Sequence, residues 1–135
     1  MTISVRPYTQ YQEQEILALY SSVGWTAYTD HPEILRSGFQ NSLLILGAYH
    51  RDRLVGIIRA VGDGHTIILI QDILVRPEHQ RKGIGTRLVQ EMIHQFSSVR
   101  QILLVTDDTL PTRAFYESLG FGELSEFQCC GFLHR

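Results

Sequence analysis

The chain has 135 residues, of which 44% are hydrophobic, and a formal net charge of −2. This composition is sufficient for a packed core and excludes the disordered class. The slightly negative charge disfavours a dedicated nucleic-acid or membrane-surface binder, since such proteins are usually basic.

The N-terminal third is predicted to hold one strand and two helices. The segment "ISVRPY" is typical of a short strand that stops at Pro7. Apolar side chains then recur at i, i+3, i+4 and i+7 from Ile16, which predicts an amphipathic helix. The segment "SSVGWTAYTD" breaks this helix. A second helix is predicted over "HPEILRSGF", with Asp30 before it and Pro32 in its first turn.

Three strands are predicted next. The segments "SLLILGAY" and "LVGIIRAV" flank "HRDR", which we interpret as a four-residue hairpin loop. The segment "GDGH" is a second tight turn. The segment "TIILIQDILV" is almost entirely apolar, which favours a central strand that is buried on both faces and ends before Pro77.

The C-terminal half is predicted to alternate helices and strands. An amphipathic helix follows Gly83, "QILLV" is a strand, and "PTRAFYESLG" is a short helix. The segment "FGELSEFQCCGFLHR" is predicted to hold one or two final strands. The strand–helix–strand unit over residues 66–106 should pair its strands in parallel through a right-handed crossover. We therefore expect an α/β (α+β) fold whose mixed, mostly antiparallel sheet has helices on both faces.

Residues 1–135 are expected to form a single domain, because no linker or repeat interrupts them. Cys129 and Cys130 are adjacent and form no framework of disulfide or zinc ligands, which favours a reducing compartment and buried structural thiols. The first residues lack the apolar core of a signal peptide, and no apolar run reaches the ~18 residues of a membrane span. We expect a cytoplasmic protein without metal, nucleic-acid or membrane partners.

Residues 80–86, "QRKGIGT", lie where the central strand gives way to a helix. Unpaired amides and the positive end of the helix dipole make a helix N-terminus suited to anions, and glycine allows a close approach. The spacing fits neither a P-loop nor a dinucleotide fingerprint. The sequence of this loop leaves two interpretations, an anion site or a glycine turn with solvated charges.

The segment from Gln80 to Gly85 resembles the Q/R-x-x-G-x-G/A signature of the GNAT superfamily of acetyl-coenzyme A-dependent N-acyltransferases. The segment "AFYESLGF" at residues 114–121 resembles a later element of the same superfamily, and the order of elements is similar. The resemblance implies that the loop holds the coenzyme A pyrophosphate and that the preceding strand contacts the pantetheine arm. The implied cofactor-binding residues are Ile73, Leu74, Val75, Gln80, Arg81, Lys82, Gly83, Ile84, Gly85, Thr86 and Thr109.

The resemblance also implies catalytic roles. Tyr116 matches the tyrosine that lies near the thioester sulfur in relatives and is the candidate acid for the departing thiolate; a packed aromatic is the alternative. Relatives often carry a carboxylate where this chain has Gln71, which cannot take a proton. Asp72 lies next to it in an apolar strand and therefore needs a partner or a wet cavity. A base role, direct or through water, and a structural hydrogen bond are both open to Asp72.

Thr109 stands where relatives often have an asparagine that touches the pantetheine, and its hydroxyl retains donor and acceptor capacity. The acceptor side is expected in the early helices and their loop, with Trp25, Tyr28, His31 and Gln71 as substrate-binding residues. Aromatic and polar groups together suit a small amphipathic amine. For Trp25, filling the core at a helix end is the alternative.

The function expected from the resemblance is acetyl transfer from acetyl-coenzyme A to a primary amine, by direct attack in a ternary complex. A small-molecule amine is favoured as acceptor. A protein or peptide N-acetyltransferase, or a non-catalytic coenzyme A-binding module, are the alternatives. A homodimer is compatible with the resemblance, since small members of the superfamily often dimerise.

Overall fold

A computed structural model describes residues 2–135, which divide into two compact units. The first unit ends at Val105 and contains a five-stranded sheet and four α-helices; the second, Thr106–Arg135, contains one α-helix and a short 3-10 helix. The strands are β1 (Ser4–Pro7), β2 (Leu44–His50), β3 (Arg53–Gly62), β4 (Ile67–Val75) and β5 (Gln101–Leu104), and the α-helices are α1 (Glu13–Ser22), α2 (Thr26–Thr29), α3 (Pro32–Gln40), α4 (Ile84–Gln95) and α5 (Leu110–Ser118). Within residues 2–135, no helix has the length and hydrophobicity needed to cross a membrane.

The sheet has the strand order β1-β2-β3-β4-β5. The first three pairings are antiparallel and the pairing of β4 with β5 is parallel. The chain passes from β4 to β5 through α4, as the strand–helix–strand pattern predicts. The mixed, mostly antiparallel sheet is therefore confirmed.

Helices cover both faces of this sheet. On one face, Ile57 and Leu74 belong to a buried cluster with Leu19 of α1 and Leu35 of α3. On the opposite face, a Cβ added at Gly56 of β3 would lie 3.5 Å from Leu88 of α4. The apolar stripe of α4 packs here, with Ile84, Leu88, Val89 and Met92 buried.

The hairpin between β2 and β3 is tighter than predicted. His50 pairs with Arg53, so the loop is only Arg51 and Asp52, with φ angles of 51° and 65°. Two consecutive residues with positive φ match the right-handed twist of the flanking strands. The prediction of a four-residue loop is wrong because the strands continue pairing through the polar residues His50 and Arg53.

The C-terminal strands predicted from "FGELSEFQCCGFLHR" are absent from the described chain. Leu124–Phe127 forms a 3-10 helix instead, in which Glu123 and Glu126 cap each other's backbone N–H groups. Gln128 then adopts a left-handed conformation with φ of 61°, which interrupts extended backbone. Cys129 and Cys130 are exposed, so the prediction of buried thiols is also wrong.

Two further differences concern the acceptor side. The segment "SSVGWTAYTD", predicted as a break, contains the one-turn helix α2, which is too short to show a periodic apolar pattern. The central strand β4 is not buried throughout, because Gln71 is exposed in its middle.

Candidate functional site

Strand β4 has an open edge over its second half. Its pairing with β5 runs from Ile67 to Ile70 and ends there, whereas β4 continues to Val75. On the other side, Asp72 pairs with Arg59 and Ile70 with Ala60, so Gln71 is an extra residue in a β-bulge. Bulges of this kind re-aim side chains and end pairing, and they recur beside active sites. The backbone of residues 71–75 therefore offers an edge to another extended segment.

The loop between β4 and α4 presents a run of free amides. A 3-10 turn, Pro77–His79, leads into it, and Arg81 and Gly83 both have positive φ, of 61° and 80°. The first amide to bond back into the helix is that of Arg87, which donates to the carbonyl oxygen of Gly83 at 3.1 Å. Within residues 2–135, the N–H groups of residues 81–86 donate to no protein acceptor.

The charges around these amides are positive. Arg81 and Lys82 are exposed, and neither forms an ion pair within the described chain. Gln80 anchors the start of the loop, since its amide nitrogen donates to the carbonyl oxygen of Val75 at 2.9 Å. An anion bound here would gain amide donors, the helix dipole and two cations at once.

A buried ion pair joins β3 to β4 next to the bulge. Arg59 and Asp72 are only 6% and 3% exposed. The guanidinium donates to Asp72 Oδ2 from Nε at 2.9 Å and from Nη2 at 2.8 Å. Arg59 Nη1 also donates to the Ser42 hydroxyl at 3.2 Å. Such a pair is tolerated in a core only when further hydrogen bonds satisfy both charges.

Two tyrosines supply the remaining hydrogen bonds of this carboxylate. Tyr20 of α1 donates to Asp72 Oδ2 at 2.9 Å, and Tyr28 of α2 donates to Oδ1 at 2.7 Å. Burial, and then the adjacent carboxylate, raise the pKa of the Tyr20 phenol. Burial also raises the pKa of Tyr28, and a hydrogen bond from Gln71 acts in the opposite direction. Both phenols therefore keep their protons at neutral pH.

The structure brings together three of the four residues predicted for the acceptor side. Gln71 Nε2 donates to the Tyr28 hydroxyl at 3.3 Å. The Trp25 ring lies 6.1 Å from the Tyr28 ring and 5.9 Å from the Tyr20 ring, centroid to centroid. His31 is exposed and instead lies 4.0 Å from the Glu33 carboxylate.

Arg59 and Tyr20 are the members of this cluster that sequence reasoning missed. A signal for Arg59 exists, because it is the one charged residue inside the apolar segment "LVGIIRAV". A charge in a core strand needs a partner of opposite sign, and Asp72 occupies the same situation in the next strand. Tyr20 carries no such signal, since its position fits an ordinary apolar helix face.

The second unit holds the two remaining predicted residues. Tyr116 of α5 is buried and makes edge contacts with Phe115 and Phe121, at centroid distances of 4.9 and 5.7 Å. Burial raises the pKa of its phenol, against a smaller opposing effect of a hydrogen bond with Thr106, so the group is protonated at neutral pH. Thr109 is the N-cap of α5, where its hydroxyl accepts from the Thr112 amide at 3.3 Å.

Comparisons with known proteins agree on a family. The model of the acetyltransferase (GNAT) family matches residues 10–121. A solved GNAT-family acetyltransferase from Streptococcus pneumoniae is 36% identical, with a TM-score of 0.90 over 99% of this chain and 98% of that one. These findings confirm the resemblance carried by residues 80–85 and 114–121.

More distant relatives extend the comparison. An uncharacterized N-acetyltransferase of Prochlorococcus marinus is 27% identical over 113 residues, which cover 79% of this chain and 61% of that protein. This chain thus spans less than two thirds of that relative's length. The structure of AAC(6′)-Iy in complex with the bisubstrate analogue CoA-S-monomethyl-acetylneamine has a TM-score of 0.77, with 100% of this chain and 98% of that chain covered. At 14% identity, that likeness is one of fold.

Replacing Asp72 with alanine is expected to lower the free energy of unfolding by about 3–5 kcal/mol, because it leaves the Arg59 guanidinium buried and unpaired. Urea unfolding followed by circular dichroism measures this loss. The double replacement Arg59→Met with Asp72→Leu removes both charges and should recover most of it. If Asp72→Ala proved as stable as the double variant, the role assigned to the ion pair would be contradicted.

Proposed function

The chain belongs to the acetyltransferase (GNAT) family, and we propose that it transfers an acetyl group from acetyl-coenzyme A to a primary amine. A small-molecule amine is the favoured acceptor. The observation that carries this proposal is the run of free amides at residues 81–86, next to the open edge of β4. Together they fit a ligand with an anionic end and an extended, amide-bearing arm.

The pyrophosphate of coenzyme A is assigned to the loop. The amides of residues 81–86 would donate to its oxygens, Arg81 and Lys82 would balance its charge, and the Thr86 hydroxyl would add a donor. Gly83 holds the left-handed conformation that starts the helix, at a φ of 80°. Ile84 is buried beneath the loop and anchors the first turn of α4 to the core.

The pantetheine arm is assigned to the edge of β4. Its two amides can pair with backbone groups of Ile73, Leu74 and Val75 as an added strand would. The side chains of Leu74 and Val75 are buried in the core, so one segment serves both packing and binding. A further contact from Thr109 belongs to the same proposal, although its hydroxyl already caps α5.

The reaction needs a neutral amine, because only the neutral form has a lone pair that can attack. A free alkylamine has a pKa of about 10.4, so most of it is protonated at neutral pH. The nitrogen lone pair forms the C–N bond at the thioester carbonyl, and the C–S bond breaks as the acetyl group leaves the sulfur. Sulfur departs with the bonding electron pair and takes up one proton, while nitrogen releases one proton to solvent water. We assign proton donation to Tyr116, whose phenol is protonated at neutral pH.

Of the two roles open to Asp72, the surroundings favour the structural one. Four donor atoms, two from Arg59 and one each from Tyr20 and Tyr28, already contact its carboxylate. Three of these donors contact Oδ2 and Tyr28 contacts Oδ1, whereas a base must reach the proton that it abstracts directly or through one water. Asp72 is also 3% exposed, which keeps substrate away from it.

The acceptor amine is assigned to the surface formed by Trp25, Tyr28 and Gln71, with His31 at its margin. The indole ring of Trp25 favours an amphipathic or cationic group, and the polar atoms of Tyr28 and Gln71 would orient the bound amine by hydrogen bonds. A small amine needs no more contact area than this, which is why we favour it over a peptide.

Acetyl-coenzyme A and a panel of primary amines should release coenzyme A thiol faster than hydrolysis without amine, as followed by thiol titration. The panel should include small amines and lysine-containing peptides. Faster release with small amines supports the proposal. Faster release with peptides would move the acceptor to the peptide class. Release that no amine accelerates would leave a coenzyme A-binding module.

Gly83→Ala is expected to raise the Kd for coenzyme A by about tenfold, because a left-handed alanine costs ~1–2 kcal/mol and relaxation would turn the loop amides away. Isothermal calorimetry measures this Kd. Gly24→Ala is the matched control, since Gly24 has a similar φ of 77° and an added Cβ meets no atom within 4 Å at either position. Equal affinities of the two variants would argue against cofactor binding at the loop.

Tyr116→Phe is expected to lower kcat by about tenfold to a hundredfold, because the departing sulfur loses its proton donor. The Kd for coenzyme A should change little. Tyr11→Phe serves as control, since the buried Tyr11 hydroxyl has no hydrogen-bond partner within residues 2–135. An unchanged kcat in the Tyr116 variant would remove this residue from the acid role.

A further inference from the structure

The hydrogen bonds around the buried ion pair can run in only one direction. Arg59 can only donate, and the Asp72 carboxylate can only accept. Tyr20 and Tyr28 must therefore both give their hydroxyl protons to Asp72, at 2.9 and 2.7 Å. The donor capacity of each phenol is used up in this way.

The same logic extends outward to Gln71. Because the Tyr28 proton points at Asp72, the Tyr28 oxygen can only accept from its other neighbour. Gln71 must therefore present its NH₂ group to Tyr28, as the 3.3 Å contact from Nε2 has it. Its carbonyl oxygen, Oε1, then remains as an acceptor, and this atom makes no hydrogen bond within the described chain.

The two tyrosines differ in what they present to solvent. Tyr20 is 0% exposed, whereas Tyr28 is half-buried and Gln71 is exposed at the bulge. The chain of hydrogen bonds thus starts at a buried cation and ends at the surface in two acceptor atoms, Tyr28 Oη and Gln71 Oε1. Both lie where β4 parts from β5, at the end of the edge assigned to the pantetheine arm.

We propose that Tyr28 Oη and Gln71 Oε1 form a two-acceptor site that selects nucleophiles bearing two N–H bonds, that is, primary amines, over N-alkylated secondary amines. Arg59 and Asp72 are positioning residues, because Arg59 holds the carboxylate whose Oδ1 fixes the direction of the Tyr28 hydroxyl. This inference rests on the proposed acetyl transfer to a primary amine and assigns the discrimination against secondary amines to two named atoms. One N–H of the attacking amine donates to each acceptor, and both bonds strengthen as the nitrogen becomes positive during attack.

The test compares a primary amine that the enzyme accepts with its N-methyl derivative, through kcat/KM for each. Wild-type protein should prefer the primary amine by about tenfold or more, because the secondary amine leaves one acceptor unpaired. Tyr28→Phe should lower kcat/KM for the primary amine by about tenfold to a hundredfold and bring the preference close to one. The KM for acetyl-coenzyme A should change by less than about twofold.

Tyr20→Phe is the matched control, since it removes a donor from the same carboxylate without touching the surface. It should destabilise the protein yet keep the wild-type preference within about twofold. Gln71→Met is the second variant, because its exposed side chain makes misfolding a minor risk; it should reduce the preference while leaving the free energy of unfolding nearly unchanged.

The outcomes separate this inference from the proposed function. One outcome is activity on amines with the same preference for the primary over the N-methyl amine in wild type, Tyr28→Phe and Tyr20→Phe. This outcome would overturn the two-acceptor site and keep the proposed acetyltransferase function. A wild-type preference that Tyr28→Phe and Gln71→Met both leave intact would overturn it as well. No activity on any amine would overturn the proposed function, and the two-acceptor site with it.

Discussion

The contact between Arg59 and Asp72 is the one on which the acceptor side of this structure depends. It joins β3 to β4 in the core and, through the two phenols that complete the carboxylate, ties α1 and α2 to the same point. A buried charge pair contributes little net stability compared with apolar residues of the same shape, but it imposes a fixed direction on every polar group around it. Here the effect extends to the half-buried Tyr28, whose hydroxyl must donate to Asp72.

The bulge at Gln71 explains how β4 serves two purposes. Pairing with β5 is kept where the strand needs support, from Ile67 to Ile70, and is given up beyond it. Past the bulge, the side chains of Asp72 and Leu74 still pack into the core while one backbone edge is free. The amides at the start of α4 are free for a related reason, since a helix cannot satisfy its own first turn. Both ends of the proposed cofactor site thus consist of backbone that secondary structure leaves unpaired.

Particular residues show where sequence reasoning succeeds and where it stops. The apolar stripe beginning at Ile84 predicts α4 and its buried face, because helical periodicity is a local property. The wrong prediction of strands at the C-terminus has a local cause too, since the mutual capping of Glu123 and Glu126 competes with extended structure. The need of Asp72 for a partner was readable from its apolar strand, and Arg59 was the charged residue of the preceding strand, but their contact was not readable from the sequence. Arg59 meets Asp72 only through the β3–β4 register.

By itself the sequence determined five strands and four of the five α-helices, the mixed sheet with its parallel unit, and the loop at residues 80–86 with its family signature. Each of these follows from spacing along the chain. The tertiary structure alone decided that Tyr20 and Tyr28 share one carboxylate, that Gln71 is a bulge residue, and that the edge of β4 opens there. Those features depend on strand register and on the direction of hydrogen bonds between distant segments. Neither is encoded in local periodicity, because a side chain acquires its donor or acceptor role from the partner that folding brings to it.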